Sequence, residues 1–147
     1  MKIHEYASEL RLQRSPEEVF PFFADAANLE LITPPWLHFR ILTPQPIALR
    51  PGALIDYRLR VHGVPVRWRT EITVWEPPHR FVDRQLRGPY RLWEHEHTFA
   101  ETPEGTLCGD RVRYAVPGGA FVHWLLVKRD VARIFAHRRK VLEQRFA

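Results

Sequence analysis

The chain has 147 residues, of which 45% are hydrophobic and 27% are charged, with a formal net charge of +5. This length supports one hydrophobic core, so we expect a single domain over residues 1–147, and no apolar run is long enough to cross a bilayer. The charge is too small for a polycation, and a single cysteine, Cys108, excludes an internal disulfide bond.

The N-terminal part predicts one strand and two short helices. Residues 3–13 alternate between apolar and charged side chains, as a half-buried strand does. Ser15 is the expected N-cap of a first helix, with Pro16 at the first helical position and Glu18 completing a capping box. A second short helix is expected over residues 26–31, and the prolines that follow Thr33 end it.

The middle of the chain predicts an antiparallel meander, because short connections rich in proline and glycine join successive apolar runs. After residue 119 the apolar period changes to 3.6, which predicts a helix of about seven turns. The expected strands span residues 37–43, 53–62, 65–76, 79–87, 90–101 and 106–116. The helical stripe contains Trp124, Val127, Val131, Ile134, Phe135, Val141 and Leu142.

One strand, two short helices, six strands and one long helix predict an α+β fold. A seven-stranded curved antiparallel sheet must wrap around the long C-terminal helix to bury its apolar stripe, and the two short helices after strand 1 can close one end. This order places the helix-opening run Ser15–Phe20 directly after the first strand. Two further runs are distinctive, namely residues 88–99 (GPYRLWEHEHTF) and residues 110–114 (DRVRY).

These features resemble the START-like or Bet v 1-like (SRPBCC) superfamily of the polyketide cyclase/dehydrase type, in an uncharacterised bacterial branch. The resemblance covers essentially the whole chain and implies the helix-grip fold. Members of the superfamily include lipid carriers, hormone receptors, aromatase/cyclases and co-chaperones, so the resemblance implies a ligand cavity without fixing a function. It transfers no catalytic residue.

Charge complementarity selects a register for the last two strands. Placing residue 96 opposite residue 111 pairs Glu96 with Arg111 and Glu94 with Arg113 on one face, and it places His97 opposite Asp110. The large apolar side chains then share the other face, which we expect to be the inner one. That face carries Trp93, His95, His97, Phe99, Cys108, Asp110, Val112 and Tyr114.

The same reasoning extends the inner wall to the preceding strands. Placing residue 84 opposite residue 94 turns Phe81, Asp83 and Gln85 inward, and on the helix Arg138 lies within the apolar stripe. We therefore expect a cavity that is polar near His97 and aromatic elsewhere. The candidate ligand-binding residues are Tyr57, Trp68, Thr70, Asp83, Gln85, Trp93, His95, His97, Phe99, Asp110, Tyr114 and Arg138.

Two interpretations of the polar residues stay open, and they are compatible. In the first, His97 and Asp110 hydrogen-bond each other, Arg138 pairs with Asp83 or Asp110, and the network only fixes the packing. In the second, the network binds the polar or acidic head of a ligand. The apolar body of that ligand would then contact Trp68, Trp93, Phe99 and Tyr114.

Three functions follow from these residues. The favoured one is binding, transport or sensing of a small amphipathic, aromatic or lipid-like molecule, without cofactor or metal. The alternative is a cyclase, dehydrase or hydrolase in which His95 or His97 is the base, Asp110 orients it, and Arg138 or Tyr114 stabilises an oxyanion. Least favoured is a metal site formed by His95, His97 and Asp110.

Basic residues concentrate in the C-terminal helix, which suggests either an anionic partner or a solvated helix face. We favour the solvated face, because late positive charges complement the helix dipole. We therefore expect no nucleic-acid partner and no stable membrane insertion, and a homodimer stays open. The first five residues lack the apolar segment of a signal peptide, which favours a cytoplasmic protein.

Overall fold

The computed structural model describes the backbone of residues 1–147 and all side chains except those of residues 119, 120, 124 and 125. The N-terminal elements are β1 (His4–Leu12), α1 (Pro16–Ala24), a 3₁₀ turn (Ala26–Asn28), α2 (Leu29–Ile32), a second 3₁₀ turn (Pro35–Leu37) and β2 (Arg40–Ile41). The sheet continues with β3 (Leu54–Val61), β4 (Val64–Glu76), β5 (Arg80–Arg87), β6 (Leu92–Thr102) and β7 (Gly105–Ala115). The C-terminal helix consists of α3 (Gly119–Val122), a π-helical turn (His123–Val127) and α4 (Lys128–Arg145).

All seven strands form one antiparallel sheet in the order β1-β7-β6-β5-β4-β3-β2. The sheet curves around the C-terminal helix, so the predicted α+β helix-grip architecture is confirmed. The strand expected over residues 37–43 is shorter, because only Arg40–Ile41 pair with β3. Pro35 begins a 3₁₀ turn there, and His38, at φ 48°, ends it in the left-handed region.

Helix α1 begins where the sequence predicts, with Pro16 as its first residue. The backbone carbonyl of Ser15 accepts hydrogen bonds from the N–H groups of Glu18 and Val19, each at 3.0 Å. The Ser15 side chain makes no capping hydrogen bond, so the predicted capping box does not form. The expected second helix is divided into a 3₁₀ turn and α2, with the Asp25 carboxylate accepting from the N–H of Ala27.

The predicted strand register is confirmed: Glu96 lies opposite Arg111, Glu94 opposite Arg113, and Arg84 opposite Glu94. Glu96 and Arg111 lie opposite each other as predicted, but they do not form an ion pair. Glu96 instead accepts from Arg80 at 2.8 Å, and Arg111 donates to Glu5 at 3.0 Å. A side chain in an inner strand has neighbours on both sides, and register alone does not decide between them.

The core divides into two parts that we name by their composition. The phenylalanine cluster lies between α1, the C-terminal end of α4 and the sheet, and it contains Leu10, Leu12, Val19, Phe20, Phe22, Phe23, Ile32, Phe81, Phe99, Cys108 and Leu142. The Trp/Tyr half contains Leu37, Leu59, Trp68, Trp93, Val112, Tyr114, Val116, Val131 and Phe135. Buried residues of α4 reach both parts, and the predicted stripe residue Trp124 lies outside the described side chains.

Candidate functional site

A cavity of about 520 Å³ lies between α4 and the concave face of β3 to β6. The short helices and the segment around Trp36 close one side of it. Its walls are mainly aromatic and aliphatic, because the inward positions of each strand carry those side chains. They include Phe23, Leu37, Phe39, Ile55, Tyr57, Leu59, Trp68, Ile72, Phe81, Tyr90, Trp93, Ile134 and Phe135.

Rings in contact form one wall of the cavity. The ring centroids of Trp68 and Trp93 are 5.5 Å apart in a T-shaped arrangement, and Tyr57 stacks against Trp68 at 5.9 Å. Tyr90 lies 4.7 Å from Trp93. Because such ring pairs stabilise each other beyond the area they bury, this wall is a preformed surface for a flat apolar group.

A network of polar side chains lies where the cavity meets the phenylalanine cluster, and His97 is its centre. Its Nε2 is 2.6 Å from Oδ2 of Asp83, and its Nδ1 is 3.2 Å from an Nη of Arg138. Arginine can only donate, so Nδ1 must accept and Nε2 must carry the proton that His97 donates to Asp83. These contacts define a neutral imidazole between a guanidinium and a carboxylate.

The second carboxylate of the network, Asp110, has different partners. Its Oδ1 is 2.7 Å from Nε2 of His95 and 3.3 Å from an Nη of Arg138. The predicted pairing of Arg138 with Asp110 is therefore present. The predicted hydrogen bond between His97 and Asp110 is wrong, since Nδ1 of His97 lies 3.7 Å from Asp110. The two residues are opposite in register, but each hydrogen bond follows a diagonal pair, which longer side chains reach.

The two carboxylates respond oppositely to their surroundings. Burial raises the pKa of Asp83, and His95 and Arg138 offset only part of that effect. Burial would also raise the pKa of Asp110, but Arg138 and the hydrogen bond from His95 hold it well below its usual range. The pKa of His97 is lowered by burial first and then by the charges of His95 and Arg138. The network thus favours a charged Asp110 and a neutral His97.

We call the part of the cavity wall between the β3–β4 turn and α4 its mouth, because lining side chains there are partly exposed. Nε2 of His62, in the turn, is 2.7 Å from the Asp130 carboxylate on the helix. One helical turn further along, the guanidinium of Arg133 lies 5.0 Å above the Trp36 ring. All four residues line the cavity. The mouth is therefore held by contacts between partly exposed side chains, in contrast to the buried network.

The family model described as "Polyketide cyclase / dehydrase and lipid transport" matches residues 12–137. The chain belongs to this family. Among curated proteins, none matches it. The matched residues run from the end of β1 almost to Arg138, so they include every strand around the cavity.

Solved structures of the same fold come from bacteria and plants. TTHA0849 from Thermus thermophilus is 22% identical with a TM-score of 0.74, and the alignment covers 97% of each chain. Ginseng major latex-like protein 151 from Panax ginseng is 8% identical with a TM-score of 0.72, over 99% of this chain and 98% of the other. The di-domain ARO/CYC StfQ from the steffimycin biosynthetic pathway is 14% identical with a TM-score of 0.75, over 99% of this chain and 51% of the other.

Most of the ligand-binding residues that we predict from the sequence line the cavity. They are Tyr57, Trp68, Thr70, Asp83, Trp93, His95, His97 and Arg138. Four others do not. Gln85 exchanges hydrogen bonds with the backbone of Tyr90, and Phe99 belongs to the phenylalanine cluster. Asp110 lies behind the network in a crevice of about 10 Å³, and the Tyr114 hydroxyl is 2.7 Å from His123.

Several lining residues were missed by the sequence reasoning. Ile134 and Phe135 belong to the predicted helical stripe, so the helical period already indicated that they face the sheet. Trp36, Leu37 and Phe39 lie in an irregular, proline-containing segment that has no period. Tyr90 precedes β6 and packs against Trp93, a contact that no local sequence pattern predicts.

The predicted metal ligands are rearranged in the structure. Ligand atoms of Asp83, His95 and His97 lie within 4.8 Å of one another, so Asp83 takes the place that was predicted for Asp110. Nε2 of His97 carries a proton in this network because Arg138 donates to Nδ1. A metal would need the lone pair that this proton occupies, so the hydrogen bonds oppose metal binding by the group.

Among the described residues, no helix is long and apolar enough to cross a membrane. Of the basic residues in α4, Arg138 is buried and belongs to the network, whereas most others lie on the outer helix face.

Proposed function

We propose that the protein binds a small amphipathic molecule with an aromatic or lipid-like body in the cavity between the sheet and α4. The observation that supports this most directly is a cavity of about 520 Å³ with aromatic walls and one polar end. Small-molecule sites have this volume and this combination of apolar walls with a few convergent polar groups. Such a site suits carriage or sensing of the ligand, since it needs no chemical step.

Binding can be tested with N-phenyl-1-naphthylamine, a neutral fluorophore whose emission increases in apolar surroundings. We expect a saturable increase with one probe bound per chain. Leu59 lines the cavity, so Leu59→Trp should fill part of it and abolish the signal. Leu54→Trp is the matched control, because Leu54 lies on the outer face of the same strand and is 44% exposed. Equal binding by both variants would exclude the cavity as the site.

A second candidate function is proton transfer by His95. The Asp110 carboxylate holds Nε2 of His95, while Nδ1 has no hydrogen-bond partner among the described residues. Since His95 lines the cavity, Nδ1 is the ring nitrogen available to a bound molecule. The sequence offered His95 or His97 as the base with Asp110. Asp110 is hydrogen-bonded to His95, whereas both nitrogens of His97 are engaged by Asp83 and Arg138.

This candidate can be tested by hydrogen–deuterium exchange at the methyl group of 2-acetylnaphthalene, followed by NMR. A base would take a proton from the carbon next to the carbonyl, leave an enolate, and return a deuteron from solvent. We expect exchange above the buffer rate that His95→Gln removes while N-phenyl-1-naphthylamine still binds. Exchange equal to that in buffer would leave binding as the only function supported.

A further inference from the structure

Each of the two buried carboxylates of the network accepts one hydrogen bond from a histidine, but only Asp110 also forms an ion pair with Arg138. Asp110 accepts one hydrogen bond, from His95 to Oδ1, and the same oxygen forms an ion pair with the charged Arg138 at 3.3 Å. Asp83 receives a single hydrogen bond, from the neutral imidazole of His97 to Oδ2. Its second oxygen, Oδ1, has no donor among the described residues.

The two carboxylates also differ in whether they line the cavity. Asp83 lines the cavity and Asp110 does not, although their side chains are buried to a similar degree, 19% and 14% exposed. A carboxylate offers about four acceptor positions, and leaving them unmet away from bulk water is costly. Asp83 is thus the carboxylate that a ligand in the cavity can reach.

The charges of the network point the same way. Two carboxylates share one guanidinium charge, and an Nη of Arg138 lies 3.3 Å from Asp110, whereas among the described residues Asp83 has no salt bridge to an arginine. Asp83 is therefore the less compensated of the two negative charges, which agrees with the upward shift of its pKa by burial. A ligand carboxylate or phosphate placed beside it would add repulsion to an uncompensated charge.

We propose that Asp83 is the specificity-determining residue of the cavity and that it selects ligands whose polar group is a hydrogen-bond donor, a hydroxyl or an amine. The ligand would lie with its aromatic body against Trp68 and Trp93 and its O–H or N–H toward Oδ1 of Asp83. This inference rests on the proposed function, and it replaces the acidic head group that the sequence allowed with a donor group.

The test uses four probes with the same ring system: 1-hydroxypyrene, 1-pyrenemethylamine, 1-methoxypyrene and pyrene-1-carboxylate. Calorimetric titration of the full chain should show the hydroxyl and amine probes binding at least about tenfold more tightly than the methyl ether, as one hydrogen bond to a charged group predicts. The carboxylate should bind most weakly. Equal affinities of the hydroxyl and methoxy probes would overturn the proposal.

Asp83→Asn should bring the four affinities together, mainly by weakening the hydroxyl and amine probes and strengthening the carboxylate. Arg84→Gln, on the outer face of the same strand, should keep the wild-type order. An unchanged order in Asp83→Asn would also overturn the proposal. If Asp83→Asn does not fold, the affinities of the four probes for Asp83→Ser and for the wild type test the proposal instead. If the probes and N-phenyl-1-naphthylamine all fail to bind the wild type, the proposed function itself fails.

Discussion

The phenylalanine cluster and the Trp/Tyr half lie on the same concave sheet, yet one is filled and the other is hollow. At the filled end, α1 supplies Phe20, Phe22 and Phe23, and Phe20 packs edge-on against Phe99 with ring centroids 5.2 Å apart. At the hollow end the 3₁₀ turn Pro35–Leu37 packs on β3, but a gap between β3, β4 and α4 remains as the cavity.

The polar network marks the boundary between these two regions. Phe81 stacks on His97 with ring centroids 4.0 Å apart, and the Arg138 guanidinium lies 5.3 Å from the Phe23 ring. The network is thus supported from the filled side and open toward the hollow side. One end of the sheet is thus packed, and the other leaves the cavity that we propose as the binding site.

The largest expected effect comes from breaking the network at this boundary. Asp110→Ala leaves Arg138 as a buried charge without a carboxylate beside it at 3.3 Å, and we expect a loss of about 3–5 kcal/mol in the free energy of unfolding. The double variant Asp110→Ala/Arg138→Met removes both charges and should recover most of the loss. Urea unfolding measures both. A single variant within about 1 kcal/mol of wild type would show that the network carries little stability.

The filled and hollow regions can be compared directly with the same substitution. Leu12 is 5% exposed in the phenylalanine cluster, and Leu59 is 8% exposed in the cavity wall. We expect Leu12→Ala to cost about 3–5 kcal/mol and Leu59→Ala about 1–2 kcal/mol, because a wall residue already lacks neighbours on its cavity side. Denaturant unfolding without ligand gives both values, and equal costs would contradict the division into two regions.

The pH dependence of the free energy of unfolding tests whether His97 is neutral in the folded protein. Its folded-state pKa lies well below the ordinary value of 6.5, so the unfolded chain binds a proton first as the pH falls. The stability contributed by His97 is therefore complete above about pH 6.5 and decreases below it, by at most ~1.4 kcal/mol per pH unit. His97→Gln keeps a donor for Asp83 and an acceptor for Arg138 but cannot titrate.

We expect this variant to show a shallower loss of stability than wild type as the pH falls below 6.5. The raised pKa of Asp83 acts in the opposite direction, because the folded protein then takes up a proton more readily than the unfolded chain. That gain appears as the pH falls through the folded-state pKa of Asp83 and is present in both proteins. Identical pH profiles would contradict the assignment of a neutral, buried His97.

The smallest expected effect lies at the mouth of the cavity. His62 and Asp130 are 58% and 26% exposed, so Asp130→Asn should change the free energy of unfolding by less than about 1 kcal/mol. The same substitution loosens the contact between the β3–β4 turn and α4. We therefore expect dissociation of N-phenyl-1-naphthylamine to become about two- to fivefold faster in stopped-flow measurements.

Glu143→Gln is the control for this effect, because it weakens a surface pair with Arg139 in the same helix away from the mouth. An equal change in dissociation rate for both variants would show that the mouth contact does not control exchange.

The sequence predicts the fold and the strand faces well, because both follow from repeated local patterns. Alternation placed Trp93, His95 and His97 on the inner face, and opposite charges on the outer face indicated the register. The partners inside the network were not predictable in the same way. Whether His97 hydrogen-bonds Asp110 or Asp83 depends on the twist of three strands and on the position of the Arg138 side chain. The residue pattern of a single strand predicts neither the twist nor that position.

The boundary between the filled and the hollow region could not be predicted from the sequence either. Phe81, Phe99 and Trp93 all face inward with similar patterns, yet only Phe81 and Trp93 line the cavity. What decides this is the distance from α1 and α4 to each strand, a tertiary property. Gln85 is a second example. It faces inward as predicted, but its side-chain amide is hydrogen-bonded to the backbone of Tyr90 and does not line the cavity.

The most direct test of the account is a crystal structure of the protein with 1-hydroxypyrene. We expect the ring system between α4 and the sheet against Trp68 and Trp93, with its hydroxyl about 2.5–3.2 Å from the Asp83 carboxylate. A probe bound only on the outer surface, or a cavity closed by α4 packing directly onto β3 and β4, would contradict it.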